Sequence, residues 1–240
     1  MKPKLNVLIV GAGGVTSYML PALLNSFDTF VTLIDADKLE KRNLDRQLFR
    51  NNHVGMYKGE ALMRTYNIRR DSGQFIRHYF DEQMLDTEYK YWFQNADVLV
   101  CCADNHPARR HLLNVGKQLN KPVLICANEY STSQAMMYVP HLESEYPNIS
   151  PFKRYPEIET SDEGSPIRCQ GDALEATPQL AIANQVSASL GNLMLHMWHP
   201  YLIDDQERGD WYPVEYQTTF SKIQTLTLGD LAELPAPTHA

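Results

Sequence analysis

The chain has 240 residues, 43% of them hydrophobic, enough to bury one full α/β core and too apolar for a disordered polypeptide. Its 29 Asp and Glu outweigh 22 Lys and Arg for a net charge of −7, which argues against a broad nucleic-acid or anionic-membrane surface. Met1-Lys2-Pro3-Lys4 leads straight into apolar sequence, with no signal segment and no run long enough to span a bilayer, so a cytoplasmic location is the default expectation.

Residues 5–10, Leu-Asn-Val-Leu-Ile-Val, predict a strand covered on both faces. Gly11-Ala12-Gly13-Gly14 then turns the chain into a helix beginning near Val15 and leaves bare amides where a phosphate can sit at the helix N-terminus. A second strand at 30–34 ends in Asp35-Ala36-Asp37. Asp35 lies 24 residues past Gly11, where a carboxylate can accept hydrogen bonds from a ribose hydroxyl. So far a nicotinamide-dependent oxidoreductase fits equally well. The residues that follow fit it less: Asn43-Leu44-Asp45-Arg46-Gln47 and then Lys58 supply cations that a dinucleotide pyrophosphate does not need and a triphosphate does. Taken alone, Arg46 and Lys58 would read as solvated surface charges.

A helix is expected at 54–66, a strand at 74–79, a helix at 82–94 and a strand at 98–102 that runs into Asp104-Asn105. Asp104 is either a ligand in the crevice beyond the strand or a helix cap before His106-Pro107. A helix at 107–119, with Leu112, Leu113 and Val115 toward the core, leads to a strand at 123–127, and 133–139 adds a strand of different direction. This βαβ alternation predicts an α/β fold with a doubly wound, mostly parallel, Rossmann-like sheet and antiparallel additions toward the C-terminus. Residues 140–176 dissolve into Pro, Glu, Ser and Gly, and read as an irregular loop that is either functional or a tolerated surface insertion. A long helix follows at 176–198. Its Leu180, Ile182, Val186, Leu190, Leu193, Met194 and Met197 form an apolar side for packing on the sheet or on a twin subunit. Strands at 211–220 and 223–228 close the chain before a Pro-containing tail. The whole reads as one domain, 1–240, with a nucleotide-binding core at 1–139 and closing elements from 177.

Four cysteines show no Cys-x-x-Cys pair. Cys101, Cys102 and Cys126 end apolar strands and read as buried small hydrophobes. Cys169 lies in polar sequence beside Arg168, which favours a thiolate, and is either a nucleophile or an inert loop cysteine.

Five pieces in order carry a family resemblance: Gly-Ala-Gly-Gly, Leu-Ile-Asp-Ala-Asp, Arg-Asn-Leu-Asp-Arg-Gln, Val-Gly-Met-Tyr-Lys, and the run from Asp97 to Asn105. Over residues 5–139, and more loosely over 177–198, the chain resembles the ThiF/MoeB/ubiquitin-activating (HesA/MoeB/ThiF) superfamily of adenylating enzymes. Within it, the Arg-Gln-Leu-Phe run and the stretch from Cys169 to Trp198 look most like small stand-alone ThiF-type proteins of plasmid and mobile-element clusters. The resemblance implies an adenylyltransferase that uses ATP and Mg2+ to activate the C-terminal carboxylate of a small ubiquitin-like or sulphur-carrier protein, and a homodimer. It implies that Asp35 binds the ribose and that Asn43, Arg46 and Lys58 contact the phosphates. Gln47 would support the site, and Gly11, Gly13, Gly14, Asp37 and Asn105 would line it. Asp104 would hold Mg2+, Arg46, Lys58 and Asp104 would be catalytic, and Cys169 would take the acyl group in a thioester or sulphur transfer. The irregular loop would cross over the adenylate.

Three features depart from that pattern. No paired cysteines are present for a structural zinc, so no zinc is predicted. Thr16 stands where a third glycine is usual and should crowd the helix against the strand. The N-terminal helix whose arginine reaches the partner subunit's ATP is missing, leaving Arg42 or Arg109 to replace it. A nucleotide-binding scaffold that has lost turnover is the alternative these departures allow.

Overall fold

The computed structural model describes residues 2–129, 132–161, 180–203, 207–219 and 222–233. Val7–Val10 (β1) enters the α-helix Gly14–Ser26 (α1) and returns as Val31–Ile34 (β2). Lys58–Thr65 (α2) precedes Gly73–Ile76 (β3), and Lys90–Asn95 (α3) precedes Val98–Cys101 (β4). His106–Leu119 (α4), Val123–Asn128 (β5) and Thr132–Tyr138 (β6) follow. Two helical turns, Pro151–Arg154 (α5) and Glu157–Thr160 (α6), then the long helix Ala181–Ile203 (α7), precede a hairpin of Pro213–Thr219 (β7) and Lys222–Thr227 (β8) and a last turn, Leu228–Glu233 (α8).

One eight-stranded sheet has the order β3-β2-β1-β4-β5-β6-β7-β8. The first five strands are parallel and β5 to β8 pair antiparallel, the predicted architecture. Every residue of β1, β2 and β4 is buried, as expected of strands with helices on both faces. Each fully buried Leu or Ile there contributes on the order of 1.5–3 kcal/mol relative to exposure.

Glycines show which helix covers which face. A Cβ at Gly116 of α4 would meet Val123, whereas one at Gly191 of α7 would meet Cys126 and Leu124. Adjacent strand residues point to opposite faces, so α4 and α7 lie on opposite sides of β5. Helix α1 lies beside α7, joined by the Asn192 side chain donating to the Met19 carbonyl at 3.1 Å.

Several expected elements are altered. The helix expected at 54–66 begins at Lys58, because Gly55 takes a left-handed φ of +91° and residues 55–57 lie against the chain leaving β2. Leu39 N–H donates to Met56 O at 2.7 Å and Lys58 N–H to Asp37 O at 2.9 Å. The helix expected at 82–94 splits into a 3-10 turn, Glu82–Asp86, and α3. Thr87 divides them: its hydroxyl donates to Met84 O and accepts from Tyr89 N–H, an alternative to the helical ladder. The strand expected at 74–79 ends at Ile76, matched to the four residues of β2.

The described part of the loop, 140–161, is not irregular. Proline-started turns at Pro140–Leu142, Pro147–Ile149 and α5, followed by α6 with Pro156 at its N-cap, bury Leu142, Ile149 and Ile158. The tail after β8 begins with α8, where Thr227 and Asp230 cap each other's amides and Leu228 and Leu231 are buried.

The face of α7 is also corrected. Its buried residues are Ala183, Asn184, Ser187, Ala188, Gly191, Met194, Leu195, Trp198 and His199, while Ile182 and Leu193 are exposed. Small residues let α7 approach α1 and the sheet closely; of the expected apolar side Met194 is buried, Val186, Leu190 and Met197 are half-buried, and Ile182 and Leu193 lie outside.

Candidate active site

The site sits at the carboxyl ends of β1, β2 and β4. Gly11 takes φ +91° and its N–H donates to Ile34 O at 2.9 Å. A Cβ there would stand 2.8 Å from the Ala103 nitrogen, so only glycine lets the end of β1 pass the end of β4. Helix α1 starts at Gly14 with Gly13 at its N-cap and no side-chain cap, which leaves its first amides for an anion. Thr16 adds a contact of its own to the turn. It is fully buried and its hydroxyl donates to the Gly11 carbonyl at 2.5 Å, tightening the turn that a third glycine would leave bare.

Asp35 receives Ala12 N–H on one carboxylate oxygen and Asp37 N–H on the other, both at 2.7 Å. Burial pushes its carboxyl above the ordinary carboxylate value, although Lys58 and the two amides pull the other way. Lys58 Nζ donates to Asp37 Oδ2 at 2.8 Å. Burial alone would lower the lysine. The fields of Asp35, Asp37 and Asp104, with the Asp37 hydrogen bond, outweigh it and hold the ammonium above its usual range. Asp104 lies exposed beyond β4, and its charge adds to the field that favours the Lys58 ammonium. The cap of α4 is Asn105, whose Oδ1 accepts Ala108 N–H at 2.8 Å, and not Asp104.

Asn43 is buried and holds its own 3-10 turn, Lys41–Asp45, by accepting Glu40 N–H at 2.9 Å. Arg46 extends from the end of that turn and donates to Arg42 O and Asp45, both at 2.9 Å. Gln47 Nε2 is 3.9 Å from where a Gly13 Cβ would be, and its Oε1 is buried with no hydrogen-bond partner, so the amide lies beside the glycine turn. Arg42 pairs with Glu40 on the surface, whereas Arg109 acts on the buried Cys101 thiol beside the crevice and has a buried Nε without a hydrogen bond. Cys101, Cys102 and Cys126 are buried free thiols, and burial pushes Cys101 up to about 12. Cys169 lies outside the described residues. Ser17, Asn184 and Tyr66 belong to the same surroundings and were not singled out as binding residues from the sequence. Ser17 Oγ accepts Leu48 N–H, Asn184 donates to Arg46 O, and Tyr66 donates to Ser17 O. The signal for Asn184 was a polar residue within the small-residue stripe Ala183, Ser187, Ala188 and Gly191.

A family profile described as the ThiF family matches residues 3–191. The chain belongs to the ThiF family. This ThiF-family protein is 28% identical over 119 residues to SUMO-activating enzyme subunit 2 of Dictyostelium discoideum, a match covering 49% of this chain and 18% of that protein. It is 33% identical over 111 residues to the Nedd8-activating enzyme E1 catalytic subunit of Drosophila melanogaster, covering 46% and 24%. The match thus spans a quarter or less of either relative. Among solved structures, E. coli MccB with ATP superposes with a TM-score of 0.62 at 20% identity, over 93% of this chain and 64% of that one, a likeness of fold. Among the described residues no helix is long and apolar enough to cross a membrane.

Proposed function

We propose that this ThiF-family chain is an adenylyltransferase that activates the C-terminal carboxylate of a small ubiquitin-like or sulphur-carrier protein with ATP. The observation that carries the reading is the meeting of Asp35 and Asp37 from the end of β2 with Lys58 from the start of α2, within the field of Asp104 beyond β4, beside an uncapped glycine turn. Hydride transfer has no use for that charge set. Phosphoryl chemistry does.

An oxygen of the substrate carboxylate attacks the α-phosphorus of ATP. The bond from that phosphorus to the bridging oxygen breaks, and pyrophosphate leaves with the electron pair, giving an acyl adenylate. The first amides of α1 with Lys58 and Arg46 offset the phosphate charge, and Asn43 and Gln47 hold that segment in place. Asp35 keeps lone pairs for the ribose hydroxyls beyond the two amides it already accepts. Asp104 is a hard oxygen donor at the crevice mouth and fits Mg2+, which when bound offsets phosphate charge. Arg109, with a buried Nε that makes no hydrogen bond, is a better candidate than the surface-paired Arg42 for a further cation at the phosphates. A homodimer, a cytoplasmic location and acyl transfer to Cys169 complete the reading.

The test is exchange of labelled pyrophosphate into ATP with candidate small proteins. Wild type should exchange label, and Asp104→Ala should lose at least about a hundredfold in rate while keeping its unfolding temperature. Undiminished exchange by that variant would remove Asp104 from the mechanism.

A further inference from the structure

Asn184 lies near the start of α7, is 1% exposed, and donates from Nδ2 to the carbonyl of Arg46 at 3.1 Å. The same amide fills the space beside Gly14, where an added Cβ would come within 2.5 Å of Nδ2 and 2.6 Å of Cγ. One buried side chain is therefore wedged between the first residue of α1 and the backbone of the residue that carries a phosphate-binding guanidinium. An amide in that place is costly to bury unless its hydrogen bonds are made, and its neighbours on the same face are Ala183, Ser187 and Ala188.

The Arg46 segment has few other ties to the glycine turn. Arg46 N–H returns to its own 3-10 turn at Asn43 O, and Leu48 N–H reaches Ser17 Oγ at 2.9 Å. Between these two, the Arg46 carbonyl is held from α7. The guanidinium lies over the same turn, bonded to Arg42 O and Asp45, so a shift of the backbone at 46 moves the charge with it.

We infer that Asn184 is a positioning residue of the nucleotide site: it sets Arg46 in register with the N-terminus of α1, acting on nucleotide phosphates through Arg46. The inference rests on the adenylation reading, because Arg46 has a use only where phosphates bind. It also gives Gly14 a reason to lack a side chain that is separate from phosphate approach.

The test is a double-substitution cycle read by calorimetric titration. Wild type, Asn184→Ala, Arg46→Ala and the double variant are titrated with ATP and Mg2+, and with adenosine, which has no phosphate, by competition. Loss of one hydrogen bond that orders a charged group corresponds to about tenfold weaker ATP binding by Asn184→Ala. Adenosine affinity should be unchanged, and Asn184→Ala should add less than about twofold on the Arg46→Ala background. Should Asn184→Ala fail to fold, Asn184→Ser, which keeps a donor on a shorter side chain, takes its place in the cycle and should bind ATP more weakly than wild type with adenosine affinity unchanged. Equal weakening toward ATP and adenosine, or full additivity with Arg46→Ala, would mean that Asn184 only supports the fold and would overturn the inference while leaving the adenylation reading intact. A wild-type protein that binds no ATP would overturn both.

Discussion

Lys58 and the acids around it concentrate the electrostatics of this protein at a few atoms. A lysine held above its ordinary value of 10.5 stabilises the fold fully below that pH and stops doing so as the pH rises through its raised value. Asp35 is shifted the opposite way for its class: its carboxylate is favoured less in the folded protein than in the unfolded chain, so ionising it costs stability above the ordinary carboxylate value of 3.8. Together these fix the sign for Lys58→Met. Without the cation, Asp35 and Asp37 repel each other when ionised, so the substitution should cost about 1–2 kcal/mol near pH 7, discounted for the partly exposed Asp37, and less near pH 4. Thermal unfolding at the two pH values checks this, and an equal loss at both would mean that Lys58 matters only for packing. The glycine turn, the acids after β2 and Lys58 stand out in the sequence by residue type and spacing, and the fold brings them together through Asp35 and Asp37. The hydroxyl contact of Thr16 was not legible, since only the folded turn brings it to the Gly11 carbonyl.

At the scale of elements, helices proved the least legible. The apolar residues of α7 recur at helical spacing, yet the buried side of its first half, from Ala183 to Gly191, is small and partly polar, because α1 and α7 share one face of the sheet and approach closely there. Gly191 marks the contact, as a Cβ there would lie 2.5 Å from Cys126 Sγ and 2.6 Å from Met19 Cε. Gly191→Val should therefore destabilise by about 3 kcal/mol through overpacking, whereas Leu193→Ala on the exposed side should cost under about 1 kcal/mol. Chemical denaturation of both variants decides it, and the reverse ranking would restore the face that periodicity indicates. The split of the expected 82–94 helix has a local cause in Thr87, and the late start of α2 a long-range one in the pairing of residues 55–57 with the exit of β2.

For the whole molecule, the eight-stranded sheet brings the carboxyl ends of β1, β2 and β4 to one crevice and buries the three described cysteines behind it. A thiol pushed up to about 12 is almost entirely protonated at pH 8 and a poor nucleophile. Cys101 by this shift, and Cys102 and Cys126 by their burial, should resist iodoacetamide at pH 8 in the native protein and react together once denaturant unfolds the sheet, as peptide mass spectrometry can show. Labelling of any of them without denaturant would mean that the sheet opens locally at the site.

What the amino-acid order determined by itself was the alternation of strand and helix, the parallel sheet with its antiparallel end, and the residue types at the carboxyl edge. Those follow from periodicity and from side-chain chemistry, which are properties of short stretches of chain. Only the tertiary structure decided which face of α7 is buried, that Asn105 rather than Asp104 caps α4, and that a buried amide 138 residues away holds the carbonyl of Arg46. Those depend on which surfaces meet across the sheet. Close packing and hydrogen-bond satisfaction are settled between distant residues, so no local pattern carries them.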